Sequence, residues 1–177
     1  MPHTRATIFS SLCCFVMLAA CLTNVAYADE YSDVNQLIRT GQLIEATRQA
    51  EVYLDNKPHD PQMRFLNGVI QSTTGNPTQA IAIFTKLTED YPELPEPYNN
   101  LAVLYAQQDQ LDKARTALEM AIRTNPGYAT AHENLADVYA ALAGQAYSKA
   151  LQLGSTSAAL SPKLALIREL LQVKLKN

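Results

Sequence analysis

Residues 95–128 read PEPYNNLAVLYAQQDQLDKARTALEMAIRTNPGY. Leu101, Ala102 and Tyr105 recur at helical spacing in the first half, and Ala114, Leu118 and Ala121 in the second. A polar stretch separates the halves, and Pro126 follows the second, where a helix cannot continue. The small Ala102 and Ala114 let two helices approach closely, while Tyr105 and Leu118 fill the space between pairs. The segment is therefore a helical hairpin, and packing is the first meaning of each of these apolar residues.

The hairpin recurs. Pro58, Pro92 and Pro126 stand 34 residues apart, as do Ala46, Ala80 and Ala114, and Gly41, Gly75 and Asp109. Such a period marks a repeat protein, a stack of helix pairs presenting an extended surface. Surfaces of that kind bind other proteins more often than they perform chemistry. The predicted class is an all-α solenoid of about three and a half repeats, at 27–60, 61–94, 95–128 and 129–154.

Tyr98, Leu101, Ala102, Tyr105, Ala114, Leu118, Ala121 and Pro126 also stand at the spacing of the tetratricopeptide repeat, which this chain resembles over roughly residues 30–154. Gly68, Ala80, Phe84, Leu87 and Pro92 carry the likeness one repeat back, and His132, Leu135, Ala136 and Tyr139 one repeat forward. The setting expected from it is the exported bacterial branch of that family. The resemblance implies that the first helix of each repeat lines a concave groove. Its ligand-facing positions become Phe65 and Val69; Glu96, Asn99, Asn100 and Val103; and Glu133, Asn134 and Asp137. Asn100 and Asn134, one repeat apart, suggest amides that donate to and accept from an extended peptide backbone. The lysines and arginines of a carboxylate clamp are missing from these positions, and Glu96, Glu133 and Asp137 make the face mildly acidic. A neutral or basic segment is the expected ligand.

The predicted helices cover 31–39, 43–56, 62–73, 77–90, 98–107 and 111–124, with Asn76 as an N-cap and 91–97 as a stiff proline-rich connector. The fourth unit breaks the pattern. Leu135, Tyr139, Leu142, Ala146, Ala150 and Leu153 step by three or four, so one long helix is expected over 129–153, ended by Gly154 in a left-handed cap. A tight hairpin at Gly144 is the competing reading. A last helix over about 161–175, capped by Ser161 and striped by Leu164, Ile167, Leu170 and Leu171, would cover the final repeat. A dimerisation or membrane-surface helix is its other reading.

Residues 1–28 read as a leader: Arg5, an apolar run from Ile8 to Leu22, and small residues at Ala26 and Ala28 before a cut at Asp29. Leu18-Ala19-Ala20-Cys21 instead resembles a lipobox, which would lipidate Cys21. Either way the chain is expected outside the cytoplasm, in the periplasm or as an outer-membrane lipoprotein, with residues 29–177 as one domain. All three cysteines, Cys13, Cys14 and Cys21, lie before that domain, so it holds no disulfide or cysteine metal site. A net charge of −3 without a basic run argues against nucleic acid and anionic lipid as partners. No phosphate loop, nucleophile motif or metal-spaced histidine pair appears. The expectation is a non-enzymatic protein-binding adaptor with no cofactor or metal, or a lipid-anchored structural subunit of an outer-membrane or pilus assembly.

Overall fold

A computed structural model describes residues 30–173, with side chains to Leu171. The readings of the leader and of Cys21, and the end of the last predicted helix, fall outside the described residues. Within them every element is helical: α1 over 30–39, α2 Leu43–Asn56, α3 Pro61–Thr73, α4 Pro77–Asp90, α5 Pro95–Gln107, α6 Leu111–Thr124, α7 Ala129–Gln152 and α8 Leu160–Val173. The described residues divide into two compact units between Thr74 and Gly75.

The first unit packs α1, α2 and α3 around Val34, Ala46, Ala50, Tyr53, Met63, Leu66 and Ile70. Ala46 and Ala50 are fully buried because α2 presents them to its neighbours, where a larger side chain would hold the helices apart. Gly41 (φ +75) ends α1 in the left-handed region. There Gln42 N–H bonds Leu37 O at 2.9 Å and Gly41 N–H bonds Ile38 O at 3.1 Å, the two bonds of a Schellman cap. Asp60 caps α3 by accepting from Met63 N–H at 2.8 Å, and Pro61 follows as the first helical residue. The other carboxylate oxygen of Asp60 accepts from the Tyr31 hydroxyl at 2.6 Å, and the Tyr31 and Tyr53 hydroxyls lie 2.8 Å apart. One aspartate thus ties α1 and α2 to the start of α3.

In the second unit, α4 buries Ala80, Phe84 and Leu87 beside α5. The α5–α6 pair buries Leu101, Ala102, Leu104, Ala114, Leu118 and Ala121. Its turn holds Asp109 at φ +56, the place taken by Gly75 one repeat back and Gly41 two repeats back in the 34-residue register. The same Schellman bonds close it: Gln110 N–H to Tyr105 O at 2.9 Å and Asp109 N–H to Ala106 O at 3.0 Å.

The long helix is a single 24-residue element, α7, with no break at Gly144. A Cβ added at Gly144 would lie 3.2 Å from Ile167 Cγ2 of α8, so the glycine that looked like a weak point is where α8 packs against α7. Gly154 (φ +83) ends α7 with the bonds Ser155 N–H to Ala150 O and Gly154 N–H to Leu151 O. The stripe that suggested continuity is not the buried face. Tyr139 is half exposed and Leu153 is 76% exposed, while Ala131 and Val138 are the residues α7 buries.

Four local expectations need correction. Residues 91–97 are not all connector, since α5 starts at Pro95; Pro95 and Pro97 sit in the first turn, whose N–H groups have no intrahelical partner to lose. Asn76 precedes α4 but makes no side-chain capping bond. Ser161 lies one residue inside α8 rather than at its cap. On α8, Leu164 is buried and Ile167 and Leu171 are half-buried, but Leu170 is exposed and so is Leu166.

Candidate binding face on the second unit

Helices α5 and α7 both pack on α6 and approach each other across it. Between them lies a cavity of about 300 Å³. Ala102, Val103 and Ala106 of α5, Val138 and Ala141 of α7, and Leu118 of α6 supply its apolar lining. The alanines matter here because only small side chains leave open space between two helices packed this closely. Asn134, Asp137 and Gln107 add polar groups to the wall, and Leu171 of α8 closes one side.

Four of the nine residues carried over by resemblance meet at this cavity: Val103, Asn134 and Asp137 line it and Asn99 bonds to a lining residue, while Glu96 and Asn100 stand on α5 outside its lining. Glu133 is exposed on α7. Phe65 and Val69 belong to α3 of the first unit, where Phe65 packs against that unit's core.

The asparagines do not form the ladder the sequence suggests. Asn99 is 7% exposed, and its carbonyl accepts from the Asn134 amide at 2.8 Å. That bond spans 35 residues and joins α5 to α7. The Asn100 amide donates to the Glu96 carbonyl at 2.9 Å, one turn back in its own helix. Position 5 of one repeat therefore meets position 6 of the next, and the bridge forms the floor beside the cavity. Sequence reasoning placed both residues on one face but could not show that they satisfy each other.

Charge around the face is acidic on α5 and α7. Glu96 and Glu133 are exposed, and burial, with the charge of Glu96 as a smaller cause, pushes the Tyr128 phenol up. His132 is exposed and bonds the Pro126 carbonyl through Nε2 at 2.9 Å, which ties α7 to the preceding turn. Among the described residues, no three His, Cys, Asp or Glu side chains cluster to hold a metal ion. The face offers an apolar recess, amide groups and negative charge. It holds no nucleophile paired with a base.

Two family models described as tetratricopeptide repeat match the chain, over residues 48–93 and 73–138. Residues 48–138 carry tetratricopeptide repeats. The tetratricopeptide repeat domain-containing protein PYG7, chloroplastic, of Arabidopsis thaliana is 31% identical over 60% of this chain. The match spans 32% of that protein's length. Among solved structures, the first repeat domain of Spaghetti (RPAP3) bound to the HSP90 peptide SRMEEVD superposes with a TM-score of 0.59. It is 16% identical and covers 64% of this chain and 90% of that one. A Thermobaculum terrenum O-GlcNAc transferase superposes at 0.58 with 21% identity, covering 62% of this chain and 21% of the transferase. At these identities the structures establish the fold, a tetratricopeptide helical solenoid, which is a protein–protein interaction module. The plant relative is a chloroplast protein, so the comparisons support the repeats and not a bacterial, exported setting.

Proposed function

We propose that the second unit is a non-enzymatic interaction module that takes an extended segment of a partner protein against the α5/α7 face. The observation that carries this is the recess between Val103 and Val138, sized for one or two side chains and bounded by amide and acid groups. An aliphatic or aromatic side chain of the partner fills it, and burial there removes apolar area on both sides from water. Exposed Glu96 and Glu133 attract lysine or arginine beside that anchor, an effect that weakens with salt. The peptide held by the Spaghetti domain, SRMEEVD, is acidic. The acids around this recess disfavour such a ligand.

Selection from a random peptide library tests the reading, run with the chain and with Val103→Glu, which places a carboxylate at the exposed rim of the recess. Peptides with a bulky apolar residue near Lys or Arg should be enriched on the chain and lost on the variant, with circular dichroism confirming that the variant folds. Enrichment of acidic peptides, or equal enrichment on both proteins, would refute it.

We further propose export, on the strength of Arg5, the apolar run to Leu22 and Ala26 to Ala28. The alternative of a lipid-anchored assembly subunit rests on Leu18-Ala19-Ala20-Cys21. Mass spectrometry of Cys21→Ser decides between them: loss of acyl mass supports the anchor, and an unchanged mature N-terminus at Asp29 supports the leader.

A further inference from the structure

Charge is divided unevenly along the chain. Residues 138–177 hold five of its 14 Lys and Arg (Lys149, Lys163, Arg168, Lys174, Lys176) but one of its 17 Asp and Glu, Glu169. That segment is net +4, against −3 for the whole chain and −7 for residues 1–137.

Each region also exposes aliphatic side chains. On α8, Leu166 is 65% and Leu170 57% exposed. Exposed Lys163 stands on the same side, within about 60° of them around the helix. On α2 of the first unit, Ile44 is 91% and Val52 54% exposed. Exposed Glu51 and Asp55 share their side of α2, within about 100°. The one cation on that side, Arg48, is bonded to Glu45, with Nε to Oε2 at 2.9 Å. The aliphatic pairs span about 12 Å from Ile44 to Val52 and about 6 Å from Leu166 to Leu170, and Lys163 extends the second patch to about 10 Å. One is apolar with acids; the other is apolar with Lys163, whose Nζ stands 5.5 Å from the Tyr147 ring, and has exposed Glu169 on its flank, within the basic part of the chain.

We propose that these faces are complementary, so that α8 of one copy docks on α2 of a second copy. The aliphatic side chains pack together at the centre, and Lys163 meets Glu51 or Asp55 at the rim. The two surfaces differ, so the contact is heterologous: the copy that donates α8 keeps a free α2 face, and the copy that accepts it keeps a free α8 face. An anionic bilayer would use the α8 face but gives no role to the exposed, acid-flanked Ile44 and Val52.

The test is sedimentation velocity over a concentration series, on protein purified in its natural processed form. Three proteins are compared: the chain, Ile44→Ser/Val52→Ser and Leu166→Ser/Leu170→Ser. All four side chains are exposed, so both variants should fold, and circular dichroism checks this. The chain should associate beyond the monomer, more strongly at low ionic strength, and each variant alone should stay monomeric. A one-to-one mixture of the variants should form a dimer and stop there, because it retains one intact donor–acceptor pair. The proposal is overturned if the chain stays monomeric throughout, or if the α2 variant still self-associates, which would mean α8 pairing with α8. It is also overturned if the chain instead binds anionic phospholipid vesicles in an α8-dependent way.

Discussion

Replacing Asn134 by alanine removes the donor to Asn99, and the damage should fall mainly on the residue left behind. Asn99 is 7% exposed, so its carbonyl loses a 2.8 Å partner where water has little access. A buried polar group left unsatisfied costs about 1–3 kcal/mol, more than the net ~1 kcal/mol of an average hydrogen bond. Asn134→Ala should therefore destabilise by about 1–2 kcal/mol, the lower part of the range because Asn134 is itself half-buried. Asn99→Ala opens a smaller deficit on the exposed side of the bond but removes buried atoms. If the two side chains serve each other, the double variant costs less than the sum of the singles, with a coupling of about 0.5–1.5 kcal/mol. Urea unfolding of the four proteins, with equal m-values, measures the cycle. Asn100→Ala is the control: its amide bonds only within its own helix on an exposed side, so it should change stability by less than about 0.5 kcal/mol. Additive single effects, or an Asn134→Ala cost no larger than that of Asn100→Ala, would refute the bridge.

Three further outcomes follow from the geometry. Gly144→Ala gains about 1 kcal/mol of helix propensity but presses a methyl to 3.2 Å from Ile167 Cγ2, so it should be nearly neutral alone and stabilising in an Ile167→Ala background, read by thermal melts. Asp109→Gly should raise stability by roughly 0.5 kcal/mol by relieving φ +56, although the exposed Gln145 Nε2 bond to Asp109 is lost, whereas Asp109→Val should lower it by about 1 kcal/mol or more in the same assay. Burial first, then its bonds to Asp60 and Tyr53, push the Tyr31 phenol well above the usual tyrosine range. The folded state then keeps a proton that the unfolded chain releases near pH 10, so this contribution is whole below pH 10 and fades above it. Tyr31→Phe should flatten the alkaline limb of a stability–pH curve measured in urea, and an unchanged limb would refute the assignment.

How much of this was legible in the sequence can be argued from α5 and α7. The ends of α2 and α4 were readable to the residue because proline and a fixed period mark them. The start of α5 was not, because a string of prolines reads as a breaker although two of them suit a first turn. The continuity of α7 was legible, but from a stripe that turned out half exposed; it buries Ala131 and Val138 and meets α8 at a glycine, whose spacing carries no apolar signal. The groove positions on α5 and α7 came from resemblance, and the Asn99–Asn134 bond could not, since nothing in one repeat says which side chain the next repeat offers it. The positive charge of residues 138–177 was countable from the start and acquires meaning only once Leu166 and Leu170 are seen to be exposed.

One helix, α7, packs on both α6 and α8. Beyond Ala141 its ties include Ile167 of α8 beside Gly144 and, through the exposed Gln145, Asp109 of the α5–α6 turn, and α7 is the main neighbour of α8. If α8 lifts away, the last three turns of α7 become an isolated helical end, too short to persist in water. Detachment of α8 and unwinding of that end should then be one event, seen in amide exchange as a single block of similar protection from about Ala141 through Leu171, below the protection of α5 and α6. The continuous helix is thus two pieces in thermal fluctuation, and Gly144 stands near the seam.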